Sequence, residues 1–419
     1  MASRRHRKRR LGRMGGRVIL GFAALALAVG IPGAFAGGAA DPGVTSTTIL
    51  VGGTTPLSGS AQAFASVAKG ANAYFKYVNS RGGVHGRKIN YKFVDDAYNP
   101  AETVRKTRQL VQEEKVFAIF NSLGTEHNLA IRPYLNEVEV PHLFAATGAT
   151  TMGRDHRQYP WTIAYQPTYV SEGAMYGAYV RRTKPNARIA ILFQDDDYGK
   201  DLIRGLQRGL GPRVNRIVAR EGHAATDDNV QSQVAKLKAS RANVLMLFTT
   251  PKFTIQAFQY VNNLGWKPQI YVNAVSSASN IMIISSSRGA NKRVEGAISI
   301  VFLKDPNDPK WARDPGIKLY RQIMRRFGSG NPRDVYNVYG MSVAFTFVDA
   351  LRKAGRNPTR RGVLNAVTRL NETNNPFVLP RMVVRTGGND RYPLDQARLQ
   401  RWSKGRWVSF GGLLKARSQ

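Results

Sequence analysis

ILVGGTTPLSGSAQAFASVAKGANAYFKYVNSRGGVHGRKINYKFVDDAYNP, residues 49–100, is the stretch whose reading decides the fold. Ile49 to Gly53 is a short apolar run with the length of a buried strand. It breaks into Thr54-Thr55-Pro56-Leu57-Ser58-Gly59-Ser60, where small hydroxyl residues and glycine let backbone N–H groups approach a ligand. Apolar residues then recur at Phe64, Val67, Ala68, Ala71, Phe75 and Val78, one face of a helix, and Gly82-Gly83 stops it. Ile89, Tyr91 and Phe93 alternate as a second strand. After Asp95-Asp96, Asn99-Pro100-Ala101-Glu102 predicts an N-cap, a proline at the first helical position and a capping-box Glu. Strand, crossover helix and strand make one βαβ unit.

Working outward, the rhythm repeats. Strands are expected at Val116 to Phe120 and Val140 to Ala146, each emptying into a small polar loop, Asn121 to His127 and Thr147 to Thr150. Near Tyr165 the pattern starts again, with strands at Arg188–Phe193, Arg216–Arg220, Asn243–Phe248 and Gln269–Asn273. Helical periodicity separates them, as at Leu202, Leu206 and Leu210. Two α/β lobes of the same topology follow, each a doubly wound, Rossmann-like sheet. The last third begins no third lobe. A strand at Val294 to Phe302, helices at Ile317 to Phe327, Tyr336 to Ala354 and Val363 to Leu370, and a hairpin through Lys404-Gly405 read as additions to the two lobes.

The 419 residues contain no cysteine, which excludes disulfides, thiolate metal sites and cysteine nucleophiles. Arg and Lys crowd residues 1–17, Val18 to Ile31 is apolar, and Ala34-Phe35-Ala36 is a small-residue tail. These parts predict a secretory signal peptide over residues 1–36 and an exported protein, periplasmic or envelope-associated, with an uncleaved membrane tether as the alternative. The first 36 residues hold eight Arg or Lys and no acid, so +27 of the chain's +35 charge would remain after cleavage. The basic residues are scattered, without a block interleaved with aromatics, which argues against nucleic acid. A solvated basic surface in electrostatic contact with an anionic envelope is the expectation instead.

In open α/β sheets ligands sit beyond the carboxyl ends of the strands. The loops gathered there are rich in Ser, Thr, Gly and amides, with Phe64 and Tyr198 as aromatic walls, and suit a small polar molecule. Tyr336 and Tyr339 open a late helix as either core or cleft wall. Catalysis is not expected. No nucleophile elbow, HExxH pair or Walker loop is present, and Val51-Gly52-Gly53 lacks the dinucleotide glycine spacing, so neither cofactor nor metal is expected. Ser58 has no histidine assigned to activate it. His127 and His142 read as structural, and Asp195-Asp196-Asp197 as capping carboxylates rather than a calcium loop.

Thr55-Pro56-Leu57-Ser58-Gly59, Asn79-Ser80-Arg81-Gly82-Gly83-Val84-His85-Gly86-Arg87, Val94-Asp95-Asp96, Gly124-Thr125, Asp197-Tyr198-Gly199 and Val294-Glu295-Gly296, in that order, resemble the periplasmic binding proteins of branched-chain amino acid ABC importers. The resemblance spans nearly all of the chain beyond residue 36. It implies a type I fold with three hinge crossovers near Tyr165, Phe302 and Phe377. Residues 44–165 with 303–377 would form the N-terminal lobe, and 166–302 with 378–419 the C-terminal lobe. It further implies that Ser58, Thr125 and Gly148 hold a ligand carboxylate, that the Ala146 carbonyl holds an amino group, and that Phe64, Tyr198 and Thr250 wall the site, with Tyr336 beside them. The partner would be a membrane permease. One departure stands out: Ala274 to Asn280, where an acid would face the amino group, contains no Asp or Glu. A carboxylate or amide without an amino group is then the better expectation, since an unpaired buried charge is costly. A ligand-binding sensor signalling to a membrane partner and a hydrolase using Ser58 are the alternatives.

Overall fold

This computed structural model describes residues 41–287 and 291–415; the signal-peptide reading of residues 1–36 lies outside them. The opening stretch folds as β1 (Thr48–Thr55), α1 (Ala65–Asn79) and β2 (Lys88–Asp95), with β1 and β2 parallel and Ile49 opposite Ile89. Helix α1 buries Val67, Ala71, Phe75 and Val78, the face the sequence marked. Gly83 has φ +73°, and a Cβ there would stand 2.0 Å from the Arg87 carbonyl oxygen, so only glycine fits the turn. Asn99 caps α2 (Pro100–Gln112), its side chain accepting from the Ala101 N–H at 2.9 Å. The capping box does not close. Glu102 pairs with Arg105 one turn on, and the Asn99 N–H already donates to the Asp96 carbonyl.

The first sheet continues through β3 (Ala118–Phe120), α3 (Thr125–Glu137), β4 (His142–Ala145), the short α4 (Thr151–Arg154) and β5 (Thr162–Ala164). Its order is β2-β1-β3-β4-β5, parallel throughout. The second lobe runs α5 (Tyr169–Thr183), β6 (Ile189–Gln194), α6 (Asp197–Leu210), β7 (Ile217–His223), α7 (Gln231–Ala239), β8 (Val244–Phe248), α8 (Pro251–Asn263), β9 (Gln269–Val272), α9 (Ser279–Ser285), α10 (Asn291–Val294) and β10 (Ile298–Val301). The strand expected from Val294 thus starts four residues later, after a helical turn. Then come α11 (Pro315–Phe327), α12 (Tyr336–Lys353), α13 (Arg360–Val367), β11 (Asn371–Glu372), β12 (Val384–Arg385) and the hairpin β13 (Gln396–Ser403) and β14 (Arg406–Lys415). The hairpin completes a seven-stranded sheet, β14-β13-β10-β9-β8-β6-β7, with β13 antiparallel to β10.

Apolar clusters cover both faces of each sheet, which makes both lobes doubly wound. Close helix pairs brace each lobe. In the first, a Cβ on Gly70 would stand 2.3 Å from the Asn337 carbonyl and one on Gly340 2.0 Å from that of Val67, so α1 and α12 touch backbone to backbone. In the second, Gly173 and Gly177 of α5 meet Gly205 and Gly209 of α6 in the same way.

The chain passes between the lobes after β5, after β10, and before β13. Phe302–Lys304 and Phe377–Leu379 run side by side: the Lys304 N–H donates to Phe377 at 2.9 Å and the Leu379 N–H to Phe302 at 3.0 Å. Asn375 also donates to the Tyr165 hydroxyl, which ties the first crossover to this pair. The third crossing is displaced from the expected position. After Phe377 the chain stays with the first lobe's core, where Leu379, Met382, Val384 and Leu394 are buried, and it enters the second sheet only at Gln396. Among the described residues no helix is long and apolar enough to cross a membrane.

Candidate functional site

A cleft of about 990 Å³, its open mouth included, lies where the carboxyl ends of the two sheets meet. Seven of the residues singled out in the sequence line it: Phe64, Thr125, Ala146, Tyr198, Thr250, Tyr336 and Tyr339. Phe64 and Tyr336 pack edge to face with centroids 5.1 Å apart. The Tyr198 hydroxyl pairs with the Asn273 amide at 2.7 Å and its ring lies 4.8 Å from Tyr169. Thr125 opens α3 behind Gly124, which has φ +113°, and the helix start has no side-chain cap. The Thr125 hydroxyl shares a hydrogen bond with Thr147 at 2.8 Å. The Ala146 carbonyl accepts from the Gly124 N–H at 3.3 Å.

Ser58 and Gly148 are placed elsewhere. The Ser58 hydroxyl donates to the Asp95 carboxylate at 2.6 Å, and the N–H groups of Leu57, Ser58 and Ala97 converge on the same group. Partial desolvation raises the Asp95 carboxyl, but the bonds from Ser58 and these three amides outweigh it and hold it below the usual range. Ser58 is thus the anchor of a turn, and its hydroxyl has a carboxylate rather than a histidine beside it. Gly148 is packed against Tyr169. Its carbonyl accepts from the Tyr169 N–H at 2.8 Å, and a Cβ there would stand 2.7 Å from the Pro167 carbonyl oxygen and 2.8 Å from the Tyr169 ring.

Sequence reading missed Tyr98, Gln166, Tyr169, Phe302, Trp407 and Asp305, all in the cleft wall. It also missed where acids reach the loop 274–280. Glu172 of α5 accepts from the Ala274 N–H at 2.6 Å and from the Tyr176 hydroxyl at 2.8 Å, and burial pushes its carboxyl up to about 7. Asp305 accepts from the Asn307 N–H at 2.8 Å with Ser279 beside it, and Asp334 accepts from the Tyr336 N–H at 3.0 Å with Ser66 and Asn280 beside it; burial raises both. All three acids hold the protein's own groups. Among the described residues no lysine or arginine lines the cleft.

The remaining ionisable residues behave as frame. His142, pushed down to about 3 by burial, shares a 2.6 Å bond with Asn128. His127, pushed down to about 4, stacks on Tyr98. Asp196 caps α6 by accepting from the Gly199 N–H. Among the described residues no group of three or more His, Cys, Asp or Glu could hold a metal ion. Both rims are bridged across the lobes: the Asp197 N–H donates to Glu126 at 3.2 Å, the Thr150 N–H to Asp201 at 2.8 Å, and the Tyr336 hydroxyl to the Val275 carbonyl at 2.8 Å.

Two doubly wound lobes, three crossovers and a cleft between the carboxyl ends of the sheets define the type I periplasmic binding protein fold. The chain belongs to the periplasmic binding protein family, whose sequence profile matches residues 48–406. It is similar to the leucine-specific-binding protein of Salmonella typhimurium, 23% identical over 299 residues, which cover 68% of this chain and 80% of that protein. Leu/Ile/Val-binding protein homolog 1 of Brucella abortus is 25% identical over 321 residues, 74% of this chain and 79% of that one. Among solved structures, a branched chain amino acid ABC transporter protein from Thermus thermophilus with bound valine superposes with a TM-score of 0.76 at 18% identity, covering 88% and 96% of the two chains. A fatty acid ABC transporter substrate-binding protein from Thermomonospora curvata gives 0.74 at 20% identity, covering 90% and 94%. At such identities the superpositions speak for the fold alone.

Proposed function

We propose that this protein is the substrate-binding component of an ABC importer, exported from the cytoplasm, closing its lobes over a small organic ligand and presenting it to a membrane permease. The ligand has an apolar body and one carboxylate or amide head, without an ammonium group. The observation that carries this reading is the cleft wall: aromatic rings from both lobes, hydroxyls, the uncapped start of α3, and, among the described residues, no acid without a hydrogen bond from the protein. Each carboxylate near the loop 274–280 already accepts from a backbone N–H, Glu172 from Ala274, Asp305 from Asn307 and Asp334 from Tyr336, so an ammonium group would be buried without a partner of its own, at a cost of about several kcal/mol. The apolar wall rewards a hydrocarbon or aromatic body instead, at roughly 25 cal/mol per Å² buried. Closure follows because the ligand touches both lobes and so binds the shut form better.

The test is a thermal-shift screen over α-amino acids, aromatic acids, aliphatic monocarboxylates, dicarboxylates and amides, since a ligand that binds only the folded state raises the melting temperature. An aromatic or aliphatic monocarboxylate, or its amide, stabilises the protein; leucine and valine do not; Tyr198→Ala abolishes the shift. A folded protein that no compound stabilises would refute the proposal, and a shift with leucine alone would refute the ligand class.

A further inference from the structure

Acidic residues are not shared evenly by the outer poles of the two lobes. In a parallel α/β sheet the loops that lead into the strands gather at the pole opposite the ligand cleft. In the second lobe these are 184–188, 211–216, 240–243, 264–268 and 295–297; the first four carry Lys or Arg and no Asp or Glu, and Glu295 of the fifth accepts from the Lys404 N–H. Of the equivalent loops of the first lobe, 41–47, 113–117, 138–141 and 155–161 contain Asp41, Glu113, Glu114, Glu139 and Asp155, while 80–87 carries Arg81 and Arg87 and no acid. Some of the second-lobe cations have structural work. Arg188 donates to the carbonyls of Ser240 and Arg241, and Arg213 to that of Arg181. Arg216, Arg241 and Lys267 have none: among the described residues their side chains make no hydrogen bond and no ion pair.

Beside them the fold leaves two apolar side chains outside the core. Val214 sits between Arg213 and Arg216 in the 3-10 turn Gly211–Arg216 and is 41% exposed; Val218, on the edge strand β7, is 36% exposed. Uncommitted cations around an exposed valine suit a surface that offers fixed negative charge and hydrocarbon together. We infer that the outer pole of the second lobe binds the anionic lipid surface of a membrane, with Arg216, Arg241 and Lys267 at the headgroup phosphates and Val214 at the interface. A soluble polyanion would use the same charges and leave Val214 idle. Because the pole faces away from the cleft, this contact leaves the ligand site unobstructed, and it stands independently of the ligand's identity.

Vesicle flotation of the full chain tests the inference. The protein floats with phosphatidylglycerol vesicles at low salt, is released at high salt, and does not float with phosphatidylcholine. The triple variant R216E/R241E/K267E binds roughly tenfold or more weakly, and Val214→Ser weakens binding without changing its salt dependence. The basic N-terminal residues are common to all variants, so the difference reads the pole; an unchanged melting temperature shows that the triple variant is folded, and single reversals replace it if it melts lower. Folded reversal variants that float as well as the parent would overturn the inference. So would complete displacement of the parent by an equal charge of soluble polyphosphate with no effect of Val214→Ser, because the pole would then hold a polyanion and no bilayer.

Discussion

Glu172 shows how one side chain can couple the cleft to pH. Its carboxyl is fully buried, receives the Ala274 N–H and the Tyr176 hydroxyl, has no cation beside it among the described residues, and sits at about 7 instead of the ordinary 4.5. Glu372, held by Thr346 and Asn375, is pushed by burial to about 7 as well. Between pH 4.5 and 7 the folded chain keeps protons that the unfolded chain has released. These groups therefore stabilise less as pH rises, and the loss is complete above the folded value. Glu172→Gln keeps an acceptor for Ala274 and removes the titration. Relative to the parent it should gain on the order of 3 kcal/mol at most between pH 5 and pH 8, measured by urea denaturation at both pH values. Ser58 makes the opposite point. Ser58→Ala should cost about 1 kcal/mol through the lost bond to Asp95 and leave ligand affinity within about twofold. The misreading of Ser58 has a physical source: the pairing of β1 with β2 sets Thr55 opposite Asp95 and brings that carboxylate to the turn, a register no single strand announces. Gly148 was misread for the same reason, since Tyr169 comes to it from beyond the first crossover.

Among the elements, the α5 and α6 pair is the most demanding. A Cβ on Gly205 would stand 2.1 Å from the Val170 carbonyl oxygen, and one on Gly173 2.2 Å from that of Leu202. Gly205→Ala should therefore force the helices apart and destabilise by about 1–3 kcal/mol, despite alanine's better helix propensity. Chemical denaturation with unchanged far-ultraviolet circular dichroism would register it. Helix α6 was legible because Leu202, Leu206 and Leu210 mark its buried face. Helix α5 was not, because small residues occupy much of its contact face, and close backbone approach leaves no apolar periodicity to read. Strand β5, three residues long, is too short to carry a pattern. The return of the chain to the second sheet was placed too early because Phe377 does reach the hinge, beside Phe302, without entering the sheet.

At the scale of the molecule, function rests on two lobes that share a cleft and are bridged at its rims. Asp201 belongs to the second lobe, pairs with Arg204, and accepts from the Thr150 N–H of the first. It does not line the cleft. Asp201→Asn should weaken ligand binding severalfold by making closure less favourable, while a neutral substitution on the far face of α6 should not; calorimetric titration separates the two. The bilobal plan was legible because βαβ rhythm repeats along the chain, and the aromatic walls because Phe64 and Tyr198 stand at the starts of the helices that follow β1 and β6. What closes over the ligand was not, since Tyr169, Trp407 and Asp305 reach the cleft from a crossover, a terminal hairpin and a hinge that only the folded chain brings together. The measurement that bears hardest on the whole proposal is an equilibrium titration of the best-stabilising carboxylate or amide into the parent protein and into Tyr198→Ala, with the ligand recovered afterwards. One ligand bound per chain, recovered unchanged, and loss of binding in the variant is the expected result. A ligand recovered as hydrolysed product, or equal binding to both proteins, would show that this cleft does not hold its solute in the way described.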